Sequence, residues 1–223
     1  IIDKGTKIFY ELREGFKYTY NFIPIRFALI VLASVSLVGM SMNVLMPIYA
    51  KEIMKGDANV LGFLMGAMGV GSLFGGFNIA MRKSGQGYER NILFSTFILG
   101  IGLIFLAYLK WFWIVMFLMA FIGYGMITQI IATNTMIQTL VDDDKRGRVM
   151  GIYTMSFMGT APLGSLFAGT LSDYFGVLNT SLIAGLLCIA TGIFFSTKIS
   201  KIEKITLPIY NPLPQNIRDE EGK

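Results

Sequence analysis

Histidine is absent from this 223-residue chain. That removes the commonest metal ligand and the usual general base near neutral pH. There is one cysteine, Cys188, so neither a disulfide framework nor a thiolate cluster can be built. A lone cysteine in an apolar run reads as a small packing residue. Acid is scarce as well, and all fourteen Asp and Glu lie outside the long apolar runs. Charged residues of both signs make up only 15% of the chain. A soluble domain carries roughly 25%, so a soluble globular fold is excluded.

What remains is apolar sequence: 54% of residues, with mean hydropathy +0.61. Six stretches carry no charge: Phe27–Ala50, Ala58–Met81, Asn91–Leu109, Trp111–Val141, Val149–Ser172 and Tyr174–Thr197. Each meets the roughly 20 helical residues needed to cross a hydrocarbon core. One such run also suits a buried helix of a soluble protein; six in succession do not. The expected fold is an all-α membrane protein with a six-helix transmembrane bundle over 25–198. Its spans fall near 25–50, 58–81, 91–109, 111–140, 147–172 and 177–198. Alternating sides along these spans, all but three of the nineteen Lys and Arg fall on the side of the two termini. The three opposite are Lys51, Lys55 and Lys110. This asymmetry puts both termini in the cytoplasm. The net charge of +5 is thus directed at the anionic inner leaflet rather than at nucleic acid, and the lipid bilayer is the first expected partner.

Residues 1–24 mix charge with aromatics. Ile8, Leu12, Phe16 and Thr19 recur at helical spacing, which predicts a cytoplasmic linker with an amphipathic helix, ended by Pro24. Residues 199–223, proline-rich and then acidic, predict a disordered cytoplasmic tail. In the first span Ser36, Met40, Asn43 and Pro47 share a stripe. There Asn43 suits helix–helix hydrogen bonding as well as a watered cavity. The second span carries Gly62, Gly66 and Gly69 on one face and Gly71 and Gly75 on the other. Two small-residue faces predict two close helix neighbours. No strand precedes these glycines and no Gly-Lys-Ser/Thr closes them, so a phosphate loop is excluded. The third and sixth spans, rich in Ile, Leu and Phe, suit lipid. In the fourth, Tyr124, Thr128, Thr135 and Gln138 share an arc of about 80° at 100° per residue, with Gln129 beside it. In the fifth, Tyr153, Ser156, Phe157, Thr160 and Gly164 share a face and Pro162 lies opposite.

The run Arg146-Gly-Arg-Val-Met150, continued by Tyr-Thr-Met-Ser-Phe-Met-Gly-Thr-Ala-Pro-Leu-Gly-Ser165, resembles the penultimate helix of the major facilitator superfamily. Within it the likeness is to the branch of enterobactin exporters and macrolide efflux pumps. Glu11-Leu-Arg-Glu-Gly15, Ile25-Arg26 and Leu32-Ala-Ser-Val-Ser-Leu37 resemble the start of the C-terminal half in that branch. The resemblance covers nearly the whole chain but only half of that architecture. It implies the C-terminal six-helix bundle of a secondary active transporter that works by alternating access. The implied partners are an N-terminal six-helix half and a small-molecule substrate, with protons as a candidate coupling ion. The implied location is a bacterial inner membrane. The substrate would be a bulky organic molecule, a siderophore or a hydrophobic drug, moved outward. A lysophospholipid flippase or an importer of the same superfamily is the alternative. A further one, of another class, is a non-transporting half-size membrane module. The chain does not begin with Met, which favours a piece of a longer protein.

Combining stripes and resemblance, the expected cavity lining is Ser36, Met40, Asn43, Tyr124, Thr128, Gln129, Tyr153, Ser156, Phe157 and Thr160. The resemblance makes Arg82, Asp144, Arg146 and Arg148 a gating latch on the cytoplasmic side. Simple anchoring at the inner leaflet accounts for these charges equally well. Helix packing is expected at Gly62, Gly66, Gly69, Gly71, Gly75 and Gly164. No catalytic residue, metal or cofactor is expected, so the chain is not read as an enzyme. With no acid inside the spans, a proton-coupling carboxylate would belong to the other half. The neutral aromatic and amide wall left here suits an amphipathic organic substrate.

Overall fold

A computed structural model describes residues 4–82 and 87–210, with side chains placed from Arg13 onward. The described residues form helices: α1 (Lys4–Asn21), α2 (Ile23–Ile48) with a π-turn (Tyr49–Ile53), α3 (Ala58–Ala80), α4 (Tyr88–Tyr108), α5 (Phe112–Leu140), α6 (Asp143–Met158) and α7 (Ala161–Tyr210). No strand occurs among them. Five helical runs are long and apolar enough to cross a membrane: Ile23–Ile53, Ala58–Ala80, Tyr88–Tyr108, Phe112–Leu140 and Asp143–Tyr210.

Local chemistry sets the boundaries. Phe22 is extended (φ −90°, ψ 98°) and separates α1 from α2, whose first turn holds Pro24, where a missing N–H costs nothing. Pro47 removes an N–H near the far end of α2, and the ladder loosens there into the π-turn. Tyr49, fully buried in that turn, donates its hydroxyl to the carbonyls of Leu109 (2.6 Å) and Leu106 (3.2 Å). These are orphan acceptors at the end of α4. Asp57 caps α3 by accepting from the Asn59 and Val60 amides at 3.0 and 3.3 Å. Gly87 opens α4 at φ +77°, a left-handed conformation that only glycine adopts freely.

Packing then gives direction. Gly71 and Gly75 of α3 lie on Ala120 and Tyr124 of α5, and Phe63 meets Phe112, so these two helices run parallel. Gly102 of α4 meets Ile122 and Ser95 meets Gly125, so α4 and α5 run antiparallel. On α2, Ser36 meets Phe157 and Ser41 meets Gly164; the chain through α6 into α7 follows α2. On α4, Phe97 meets Gly192, Gly100 meets Gly185, and Arg90 meets Glu203 at 2.7 Å; the later part of α7 runs against α4. The reversal falls at Gly176, a break in α7 with φ 79° and ψ 160°.

Several expectations need correction. The helical run is unbroken from α6 to Tyr210 except at Gly159–Thr160 and Gly176. Residues 199–210, expected in a disordered tail, are helical, with Ile202 and Thr206 fully buried. The rest of that tail lies outside the described residues. α4 has two faces: Thr96, Leu99 and Leu103 are fully buried in the packing with α5 and α7, and Phe94, Ile101, Phe105 and Tyr108 form an apolar stripe that faces outward. The face that α1 buries holds Gly15 and Thr19, whereas Phe16 is 53% exposed.

Candidate functional site

The expected cavity residues divide by neighbour. Between α2 and α6, Ser36 is fully buried and donates its hydroxyl to the Phe157 carbonyl. Thr160, at the break before Pro162, donates to the carbonyls of Ser156 (3.0 Å) and Phe157 (3.3 Å). Ser41 donates to Gly164 O at 2.9 Å. The Ser36 and Thr160 hydroxyls thus satisfy carbonyls left without amide partners in the last turn of α6. Ser36 is therefore a tie between helices and not a lining group. Tyr153 is buried as well; its hydroxyl donates to Ile130 O at 3.3 Å and its ring stacks on Phe157.

Two residues of α5 also face inward. Thr128 is 3% exposed, lies against Gly75, and its hydroxyl has no hydrogen-bond partner among the described residues. Gln129 is fully buried and donates to Thr133 Oγ1 at 3.1 Å. Both are corrected from lining to interior. A helical wheel fixes the angle of a side chain but not which helix stands at that angle. Tyr124 is half-buried in a separate apolar groove of about 280 Å³ that it shares with Phe74, Ile98 and Phe121. What stays open along α2 and α6 is Met40, Asn43, Ser156, Phe157 and the edge of Thr160. Asn43 is exposed, and among the described residues its amide reaches only Met40 Sδ, at 3.7 Å.

The glycines divide too. A Cβ at Gly71 would overlap the Ala120 carbonyl, at Gly75 it would meet Tyr124 O at 2.8 Å, and at Gly164 it would overlap the Leu37 carbonyl. Nothing lies within 4 Å of a Cβ at Gly62, Gly66 or Gly69. The expected close neighbour on that face of α3 is absent among the described residues. Reciprocal close approach of Gly100 and Gly185, where a Cβ on either would come within 3.0 Å of the other's carbonyl oxygen, was missed. Isolated glycines in Ile- and Phe-rich spans give no small-residue stripe to notice.

The residues expected to form a latch lie at the basic end. Arg148 pairs with Glu14 of α1 at 2.7 Å. Arg146 pairs with Asp143 within its own helix at 2.6 Å, so among the described residues it bridges no two helices. Asp144 lines a cavity of about 410 Å³ with Glu14, Tyr18 and Arg148. Arg82 is exposed just beyond α3. Lys145 stands 5.0 Å over the Tyr18 ring. The Tyr18 hydroxyl titrates above its ordinary value, chiefly through burial and then the negative field of Asp142, which Lys145 opposes. Glu89, in the first turn of α4, is 2% exposed with one carboxylate oxygen unpartnered among the described residues. It sits where a helix N-terminus favours negative charge.

The sequence profile of the transmembrane secretion effector family matches residues 4–221. Over 187 residues the chain is 30% identical to the multidrug efflux pump Tap of Mycobacterium tuberculosis, covering 82% of this chain and 43% of that protein. It is 27% identical over 183 residues to Tap of Mycolicibacterium fortuitum, covering 81% and 44%. It is 25% identical over 169 residues to the staphyloferrin A transporter of Staphylococcus aureus, covering 74% and 42%. The chain spans less than half the length of these relatives.

Proposed function

Because the chain belongs to the transmembrane secretion effector family of the major facilitator superfamily, we propose that it forms the C-terminal six-crossing half of a bacterial inner-membrane exporter. The exporter moves a bulky amphipathic molecule of the drug or siderophore kind by alternating access. The single observation that carries this reading is Asn43: an amide exposed on the outer face of a charge-free span. An unsatisfied amide facing hydrocarbon costs several kcal/mol by the roughly 4–8 kcal/mol of cyclohexane transfer. A water-filled path beside α2 removes that cost.

The reversal at Gly176 supports six crossings, with the termini and the basic end together in the cytoplasm. The open glycine face of α3 supports close approach by an N-terminal half. Relatives named for drug efflux and for siderophore transport support the substrate class. Asn43→Leu in the full-length transporter is expected to abolish efflux of a fluorescent drug at unchanged membrane abundance. Wild-type efflux by that variant contradicts the assignment of this face.

A further inference from the structure

A second open groove, about 240 Å³, lies at the basic end where α1, α2 and α6 meet. Among its walls are Thr19 and Tyr20 of α1, Arg26, Ile30 and Ala33 of α2, and Ser156 of α6. Among the described residues Arg26 is the only charged one lining it. Its guanidinium stands 5.0 Å from the Tyr20 ring and 4.9 Å from the Phe27 ring, and Nη1 donates to Tyr20 O at 3.3 Å. Among the described residues it forms no salt bridge. Ring stacking orients a guanidinium without neutralising it, so the charge stays available to a ligand. The Thr19 hydroxyl, 93% buried by its 7% exposure, has no partner among the described residues.

The apolar wall leads onward. Ile30, 43% exposed, and Ala33 rise along α2 toward Met40 and Asn43. Ser156 belongs both to this groove and to the open face described above. A fixed, unneutralised cation thus stands at the mouth of an apolar trench that runs into that face. We propose that the groove is an entry subsite for a transported amphiphile bearing an anionic group. Arg26 pairs with its carboxylate, sulfonate or phosphate while the apolar body lies along Ile30 and Ala33. The subsite rests on the transporter reading. It deepens that reading by selecting anionic over neutral amphiphiles at the cytoplasmic side.

The test is binding rather than transport, so it stands apart from the exporter reading. Full-length protein in phosphatidylcholine nanodiscs is titrated with dansyl-undecanoic acid and, in parallel, with its neutral methyl ester. Arg26→Gln is expected to weaken the acid about tenfold or more, the loss of a charge-assisted contact, and to leave the ester unchanged. Arg26→Lys is expected to recover most of the acid's affinity. Ile30→Trp, at a half-exposed wall position, is expected to weaken both probes; it keeps the test open should Arg26→Gln not fold. Equal affinity of wild type and Arg26→Gln for the acid, equal losses for acid and ester in Arg26→Gln, or no effect of Ile30→Trp overturns the proposal. So does loss of acid binding when phosphatidylglycerol is added to the nanodiscs, which assigns the groove to a membrane lipid. A protein that binds the acid through Arg26 yet moves no substrate overturns the exporter reading alone.

Discussion

Glycine has opposite consequences on the two sides of α3. At Gly71 a side chain collides with the Ala120 backbone, whereas at Gly66 it meets open space. Gly71→Leu is expected to cost more than the roughly 1–3 kcal/mol of ordinary overpacking, because backbone rather than side chain must yield. Gly66→Leu, which meets nothing among the described residues of this bundle, is expected to cost clearly less, since it disturbs only the approach of an N-terminal half. Thermal unfolding in detergent separates the two, and a Gly66→Leu that melts as low as Gly71→Leu contradicts the open-face assignment. Thr128 makes a second case at this scale. A buried hydroxyl without a partner costs about 1–3 kcal/mol, so Thr128→Val is expected to raise the melting temperature by a few degrees. A lower melting temperature would mean that the hydroxyl is engaged.

Among the elements, α1 is held to the bundle by thin contacts at its basic end. Glu14 and Arg148 are 45% and 37% exposed, and such pairs contribute about 0–1 kcal/mol. Their breakage therefore moves α1 without unfolding the bundle. Glu14→Arg is expected to speed hydrogen exchange of α1 amides at an unchanged melting temperature, and adding Arg148→Glu to restore protection. If the double variant exchanges as fast as the single one, the ion pair does not dock α1. At the start of α3, the Asp57 carboxyl is held below the usual carboxylate range, first by the Asn59 side chain and then by the Val60 amide. A depressed folded-state pKa contributes stability that is present above the unfolded value and lost as pH falls through the folded one. Protection of the Asn59 and Val60 amides should thus persist from neutral pH down through the ordinary carboxylate range, and fail at all these pH values in Asp57→Ala.

Elements were also where the sequence could be read most directly. The length of an uncharged run and the positions of Pro24, Pro47 and Gly87 are local properties, and they bound α2 to α5 within a few residues. Neighbours are not local. Leu99 reads the same whether it faces acyl chains or another helix, because lipid is as apolar as a protein core, so which stripe of α4 packs inward is not legible from it. The helical stretch to Tyr210 depends on Tyr88 and Arg90, more than a hundred positions upstream. The inward turn of Thr128 and Gln129 depends on which flank α3 occupies.

The whole molecule, on the proposed function, is a bundle of uncharged spans that offers one face, along α2 and α6, to a path it does not enclose by itself. In the proposed exporter, Arg26 and the basic end would set the entry side, and Asn43 would mark the route across. Cys188 is the only cysteine and is fully buried, so Cys188→Ser provides a clean background for a single probe. The most direct measurement is the reaction of Asn43→Cys, in full-length protein within native membranes, with a membrane-impermeant maleimide. The account predicts rapid labelling that a transported substrate slows, and no labelling of Phe105→Cys on the outward stripe of α4. Inert Asn43→Cys together with quenching by a spin-labelled lipid at that position would contradict it.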